Sequence, residues 1–286
     1  MKILRNVKLK SKNTFHIEGM ATNYYIPENE NDLLELMKVI GNNKAYVLSG
    51  GSNILINDKK MYDHIIDASE IDKSFEQIEN EIFYIGASLR VQDVINRLNS
   101  CGYGGIEKFY SLPALFGGII YMNAGIGSRK NPVFTISDFI VKVKVFNKEI
   151  KKIEWIKKEE CLFGHRKSVF QNDKYIIMGA ECNFIEQDLE TSKQIIKDRI
   201  SNFSKKAEMG RGTFGTIFSV SNDKLLKVTS LIHKKKGKIH FGEKNKNWLV
   251  NDGDGTYNDA IYLINKCKKI HKIFHKKIEC EVRIWE

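Results

Sequence analysis

Apolar and polar positions along the first third of the chain predict short strands alternating with helices. The segment Leu33 to Ile40 reads as a helix, with Asn29-Glu30-Asn31-Asp32 as its capping sequence and Gly41-Asn42 as its stop. Ala45-Tyr46-Val47-Leu48 predicts a buried strand, Ser49-Gly50-Gly51-Ser52-Asn53 a turn, and Ile54-Leu55-Ile56 a second strand. Phe83 to Ala87 predicts another strand, and Arg90 to Leu98 an amphipathic helix ended by Cys101-Gly102-Tyr103-Gly104-Gly105. Near the far end, Ala260, Leu263, Ile264, Cys267, Ile270 and Phe274 recur at helical spacing and predict one packed face. The run Ile278 to Ile284 reads as a strand with Glu279, Glu281 and Arg283 on one side and Ile278, Cys280, Val282 and Ile284 on the other.

Two glycine-rich stretches stand out from this pattern. In Ser49-Gly50-Gly51-Ser52-Asn53 the glycines allow positive φ and close approach of backbone N–H groups to an anion, while Ser52 and Asn53 add side-chain hydrogen bonds; an ordinary turn between strands fits the same residues. Ser111-Leu112-Pro113-Ala114-Leu115-Phe116-Gly117-Gly118 leads into Met122-Asn123-Ala124-Gly125 and reads as a helix with Pro113 in its first turn. Each interior glycine costs a helix about 1 kcal/mol relative to alanine. Something therefore passes close to that backbone, either a packed neighbour or a ligand.

At 286 residues, 42% of them hydrophobic and 28% charged, with 3 prolines, the chain is long enough for two or three modest domains and reads as soluble and folded throughout. No apolar run approaches the roughly 20 residues that span a bilayer, and Met1 to Asn6 lacks the apolar core of a signal sequence. The cytoplasm is the expected compartment. Cysteines 101, 161, 182, 267 and 280 show no CxxC spacing, so reduced, mostly buried thiols are expected, with no disulfide framework and no metal. The formal charge of +11 is spread in lysines and comes with no nucleic-acid signature. The dense stretch Lys266 to Lys277 reads as the solvated side of a helix, and a basic field also attracts anionic ligands such as a nucleotide diphosphate or a phosphorylated nicotinamide cofactor.

Read in order, Asn13-Thr14-Phe15, Ser49-Gly50-Gly51-Ser52-Asn53, Gly86-Ala87, Pro113 with Gly117-Gly118, and Met122-Asn123-Ala124-Gly125 resemble the FAD-binding motifs of the UDP-N-acetylenolpyruvoylglucosamine reductases. The resemblance covers nearly the whole chain. It implies an α+β protein, a two-subdomain FAD-binding fold of the vanillyl-alcohol-oxidase/PCMH type plus an α+β substrate domain, divided at 1–70, 71–195 and 196–286. The cofactor-binding residues it implies are Ser49, Gly50, Gly51, Ser52, Asn53, Ser111, Pro113, Gly117, Gly118, Asn123 and Gly125. Phe163-Gly164-His165-Arg166-Lys167-Ser168-Val169-Phe170 resembles the family's Tyr-Arg-x-Ser segment, with His165 in the tyrosine's place. Arg166 is then the expected polariser of a substrate carboxylate, although an arginine in such a position is commonly a surface ion-pair partner. The ending Glu279-Cys280-Glu281-Val282 resembles the family's Leu-Glu-x-Glu-Val and favours Glu281 as the catalytic carboxylate.

Departures fall mainly in the last third. Gly215-Thr216-Ile217-Phe218 stands where the family has Gly-Ser-x-Phe, so Thr216 is either the proton donor or a β-branched strand residue. Ser219 replaces a usual basic residue, Val220-Ser221 replaces Asn-Pro, and Leu225 to Gly237 replaces a Gly-Leu-Lys-Gly core. A His-Ala-Asn-Phe pattern is reduced to Asn245-Lys246-Asn247-Trp248, while Val250-Asn251 and the cap Thr256-x-x-Asp259 fit; Ala114 and Leu115 replace Gly and Thr. The activity implied is reduction of UDP-N-acetylglucosamine enolpyruvate to UDP-N-acetylmuramate with non-covalent FAD and NADPH as hydride donor. The divergent region keeps two alternatives open: an FAD oxidoreductase for another nucleotide sugar, and a non-catalytic FAD or nucleotide-sugar binder.

Overall fold

The computed structural model describes residues 1–127, 132–208 and 210–286. It contains two compact units: Met1–Leu4, Asn23–Gly50 and Asp63–Ser201 form the first, and Arg5–Thr22, Gly51–Tyr62 and Asn202–Glu286 the second. The chain passes from one to the other at the Gly50–Gly51 bond, within the strands Lys2–Lys8, Met20–Ile26 and Met61–Asp67, and within the helix Leu189–Ser204.

In the first unit, helix α1 (Glu30–Ile40) is capped as expected: the Asn29 side chain accepts from Asp32 N, and Gly41 at φ +59 ends it. The helix begins three residues ahead of the predicted Leu33 because the capping sequence supplies its own first turn. Leu33, Leu36, Met37 and Ile40 bury its inner face against Ile66, Phe146, Ile176 and Met178. The strand Tyr46–Leu48 pairs in parallel with Met61–Asp67, from Tyr46↔Ile65 to Leu48↔Asp67. A five-stranded antiparallel sheet has the order Lys152–Lys157, Ile140–Asn147, Tyr175–Asn183, Ile82–Gly86, Phe75–Glu79. Helix α2 (Val91–Ser100) and the short α3 (Phe116–Tyr121) belong to the core built on that sheet, with Val91, Val94, Ile95, Leu98, Phe116 and Ile120 fully buried. Helix α4 (Leu189–Ser204) closes this part of the chain.

Pro113 is not in the first turn of α3, contrary to the expectation from its sequence. The segment ahead of the helix is held extended: Val91 N–H donates to the Ala114 carbonyl at 3.1 Å and Leu115 bridges to Arg90, so the helix starts only at Phe116.

The second unit carries helices α5 (Asp223–Ile232) and α6 (Tyr257–Ile273), which pack together, and the antiparallel sheet Lys235–Lys236, Ile239–Phe241, Leu249–Asn251. Thr256 and Asp259 form a reciprocal capping box at the start of α6. Its buried face is Ala260, Leu263, Ile264, Cys267 and His271, whereas Phe274, predicted to pack, is 58% exposed. Helical spacing alone does not separate the two positions. His271 earns burial through hydrogen bonds: Nδ1 donates to the Cys267 carbonyl at 2.9 Å, and Nε2 accepts from Asn222 N–H at 3.0 Å at the start of α5.

The predicted seven-residue strand at the end of the chain is two strands. Glu279–Cys280 pairs antiparallel with Phe218–Val220, and Arg283–Trp285 pairs in parallel with Ile54–Ile56. The chain changes sheets at Glu281 and Val282, so the expected alternation of faces does not run through them.

Candidate active site

In the first unit the site is built on a tight turn. Gly164 and Lys167 exchange backbone hydrogen bonds of 3.0 and 3.1 Å, leaving His165 and Arg166 at the tip. Arg166 sits at φ +58, a left-handed conformation that costs a side chain with a Cβ about 1 kcal/mol. The surroundings fix it there. Gln171 Nε2 donates to the Arg166 carbonyl at 3.0 Å and to that of Tyr121 at 3.1 Å, and Ser168 Oγ donates to Tyr121 O at 2.7 Å. The guanidinium donates from Nη2 to the Gly125 carbonyl at 2.8 Å and from Nη1 to that of Asn123 at 3.4 Å. Asn123, itself at φ +40, returns the link by donating Nδ2 to the Gly164 carbonyl at 2.9 Å, while its Oδ1 accepts from Ser137 N–H. Met122-Asn123-Ala124-Gly125 and Gly164-His165-Arg166, separate motifs in the sequence, thus form one network. It orients a planar cation by its backbone carbonyl partners.

The same unit brings Ser49 and Gly50 to the stretch after Ser111. A Cβ on Gly50 would stand 3.4 Å from the Pro113 carbonyl, and one on Gly118 would stand 3.1 Å from Ser49 Oγ. Gly117 donates its N–H to the Ala87 carbonyl at 2.9 Å, and a Cβ there would come within 2.8 Å of Ala87 Cβ. What passes close to Gly117 is therefore the protein's own Ala87. Ser111 Oγ accepts from Arg199 Nε at 2.8 Å, a half-buried arginine whose pKa burial lowers. Arg199 carries no motif in the sequence, and only its place on α4 brings it to Ser111.

In the second unit four candidates lie on a closed circuit of hydrogen bonds. Gly51, at φ +63, has no room for a side chain, because a Cβ would fall 2.1 Å from the Lys12 carbonyl. Its own carbonyl accepts from Thr14 N–H at 3.1 Å. Thr14 Oγ1 donates to Thr213 O at 2.7 Å and Thr213 N–H donates back to Thr14 O at 2.9 Å. Two residues on, Gly215 turns the chain at φ +76 and Thr216 bridges to Trp248. Next to Thr216, the Ile217 carbonyl accepts from Glu281 N–H at 2.8 Å; the Glu281 carbonyl accepts from Asn53 Nδ2 at 3.3 Å, and Asn53 O accepts from Arg283 N–H at 3.0 Å. Thus Gly51, Asn53, Thr216 and Glu281 are joined through the bend where the last two strands part.

Asn247 holds the turn at Ile217–Phe218, from whose Ile217 carbonyl Glu281 hangs, a role the sequence did not reveal. Its Oδ1 accepts from Phe218 N–H at 3.0 Å, its Nδ2 donates to Phe218 O at 2.8 Å, and its carbonyl accepts from Ile217 N–H at 2.8 Å. The Thr216 side chain is half-buried. Among the described residues no protein acceptor takes the N–H groups of Gly51, Ser52 or Asn53. Three successive donors beside a glycine at positive φ suit an anionic group such as a pyrophosphate. A shallow depression lined by Cys101, Gly102, Tyr103, Glu186, Gln187 and Asp188 contains none of the candidate residues.

The architecture is an α+β fold. It superposes over 100% of its length on the whole chain of the crystal structure of the UDP-N-acetylenolpyruvylglucosamine reductase (MurB) from Thermus caldophilus, with a TM-score of 0.79 at 21% sequence identity. In sequence the chain is 26% identical over 284 residues to a UDP-N-acetylenolpyruvoylglucosamine reductase of Thermotoga sp. (strain RQ2), covering 97% of this chain and 92% of that one. It is 26% identical to the enzyme of that name from Fusobacterium nucleatum, over 99% of both chains, and 28% identical to the one from Francisella tularensis, over 92% and 93%. No protein-family model matches the chain. Along nearly its whole length the chain is thus similar, at 26–28% identity, to UDP-N-acetylenolpyruvoylglucosamine reductases.

Proposed function

We propose that this protein is an FAD-dependent oxidoreductase that uses NADPH to reduce UDP-N-acetylglucosamine enolpyruvate to UDP-N-acetylmuramate, a step of peptidoglycan precursor synthesis. The observation that carries the reading is end-to-end similarity to reductases of that name, together with motif residues gathered into two hydrogen-bonded networks. When bound, FAD would supply hydride transfer between NADPH and the substrate's double bond. The chain's residues fit that cofactor: the N–H groups of Gly51, Ser52 and Asn53 suit its pyrophosphate, and Ser49, Gly50, Ser111, Pro113, Gly117, Gly118, Asn123 and Gly125 are proposed to shape its binding surface.

Hydride addition to an enolpyruvyl double bond needs its carboxylate polarised and the adjacent carbon protonated. Arg166 is suited to the first role because its guanidinium plane is set by the Asn123 and Gly125 carbonyls before any substrate arrives. Glu281 is proposed to share the electrophilic role, its backbone being fixed between Ile217 and Asn53. Thr216 is proposed to deliver the proton from its hydroxyl, held by the strand bridge to Trp248 and stiff at χ1. Nucleotide-linked sugars and NADPH are cytoplasmic metabolites, so the cytoplasm is the compartment proposed.

The test is an anaerobic absorption experiment on the purified protein, with NADPH added first and UDP-N-acetylglucosamine enolpyruvate second. A flavin band that bleaches with NADPH and returns with substrate is expected. Thr216→Val should bleach at the wild-type rate and recover about 10²-fold to 10⁴-fold more slowly, whereas Thr216→Ser should stay active. A flavin that bleaches without recovering would move the assignment to another nucleotide sugar, and a protein that cannot be reconstituted with FAD would overturn it.

A further inference from the structure

Although the sequence reads as uniformly basic, its charge excess is local. Residues 223–238 and 257–277 hold twelve lysines against two aspartates, which accounts for ten of the formal +11. These are the segments of α5, the strand Lys235–Lys236 and α6, all within the second unit. The two aspartates do not offset the lysines from outside, since Asp259 is spent on the α6 capping box and Asp223 lies in the first turn of α5.

Large apolar side chains stand exposed among these lysines. Leu231 is 69% exposed, Ile232 64% and Ile273 61%. On α6, Tyr262, Lys266, Lys269 and Ile273 follow one another at i, i+4, i+7 and i+11, a single stripe along the helix. On α5, Lys224, Val228 and Leu231 repeat that mixture at the same spacing. The end of α5 meets the stripe of α6 at Tyr262, whose ring has the His233 ring edge-on at 6.1 Å and the Lys236 and Lys266 ammonium groups 5.3 and 5.0 Å from its centre.

We propose that this face of α5 and α6 docks on an anionic lipid surface. Lysines interleaved with exposed aliphatic side chains match a bilayer interface, where the ammonium groups meet lipid phosphates and the aliphatic groups enter the acyl boundary. A nucleic acid would satisfy the lysines but leave Leu231, Ile232 and Ile273 without a partner. Its bases would also find the Tyr262 ring already attended by two lysines rather than open for stacking. Among the described residues no helix is long and apolar enough to cross a membrane, so the association is peripheral.

The test is co-sedimentation of the full chain with phosphatidylcholine vesicles, with and without phosphatidylglycerol, at low and high salt. Binding is expected only with phosphatidylglycerol and weaker at high salt. Lys266→Glu with Lys269→Glu should weaken it about tenfold or more, since charges near an anionic surface act roughly additively. Leu231→Ser with Ile273→Ser should also weaken it while leaving attraction at low salt. Flavin content and far-ultraviolet circular dichroism of both variants report folding independently. Absence of vesicle binding, equal binding to neutral vesicles, or a vesicle affinity unchanged by either pair would overturn the proposal. So would tighter binding to poly(U) that ignores the Leu231 and Ile273 substitutions.

Discussion

Replacing Asn247 by alanine tests whether the bend at Ile217–Phe218 positions the chemistry. The side chain makes two hydrogen bonds, both to the backbone of Phe218, a residue only 2% exposed. Its removal strands an N–H and a C=O in a place that water reaches poorly, and each such group costs about 1–3 kcal/mol. Asn247 is itself half-buried, so a water molecule can replace part of what is lost; a net destabilisation of about 2–4 kcal/mol follows. The Asn247 main-chain bond to Ile217 survives, so the strand should shift rather than detach. Thr216 precedes Ile217, and Glu281 hangs from the Ile217 carbonyl, so even a displacement of about 1 Å should lower kcat about 10²-fold. Asn247→Asp keeps the acceptor for Phe218 N–H but sets a carboxylate oxygen against the Phe218 carbonyl, and should be no better than alanine. Urea unfolding gives the stability, and the two half-reactions followed separately give the kinetics. Flavin reduction by NADPH should be untouched, and reoxidation by substrate slowed. A variant within twofold of wild type in both stability and reoxidation would refute the positioning role.

Gly117→Ala should gain about 1 kcal/mol of helix propensity and lose about 1–3 kcal/mol to overpacking, because its Cβ would stand 2.8 Å from Ala87 Cβ where about 3.5–4.0 Å is comfortable. Adding Ala87→Gly should recover much of that loss in a denaturant double-mutant cycle, and strictly additive effects would show that something other than Ala87 excludes a side chain there. The hydrogen bond from Arg211, followed by His240 nearby, holds the Asp252 carboxyl below the ordinary carboxylate range. A lowered pKa favours the folded state while the group is ionised, so the contribution is present above about pH 4 and is lost as pH falls through the lowered value. Asp252→Asn should therefore lower Tm at neutral pH by an amount that shrinks on acidification below about pH 4, and a difference that persists unchanged there would contradict the assignment.

The parts of this architecture legible in the sequence are those set by neighbours along the chain. Asn29 and Thr256 announce helix starts because a cap needs only residues within one turn, and Tyr46–Leu48 and Ile54–Ile56 follow from short apolar runs between turn residues. The division of the last strand was not legible, since Glu279–Cys280 and Arg283–Trp285 alternate without interruption and differ only in distant partners. Helical spacing admits either His271 or Phe274 to the core, and the choice rests on the Asn222 N–H that requires an acceptor. In the candidate site, motif order singled out Arg166, Asn123 and Gly125 separately. Their union depends on the left-handed turn at Arg166, which a non-glycine residue does not advertise. The roles of Asn247, seen in the sequence only as a motif remnant, and of Arg199 were not legible because their partners are 29 and 88 residues away.

The circuit of the second unit also sets an order of events in time. Asn53 emerges from the ribosome early, yet the residues it holds, Glu281 and Arg283, are made some 228 residues later. A chain growing from its N-terminus therefore carries Arg5–Thr22 and Gly51–Tyr62 without their late partners Thr213, Glu281 and Arg283 through most of its synthesis, while nearly all of the first unit can already form. Contacts of such long range form slowly, and they form last. Newly made chains should pass through a stage in which the first unit is folded and the second still open, and during that stage these two early segments are the natural targets for a chaperone or a protease.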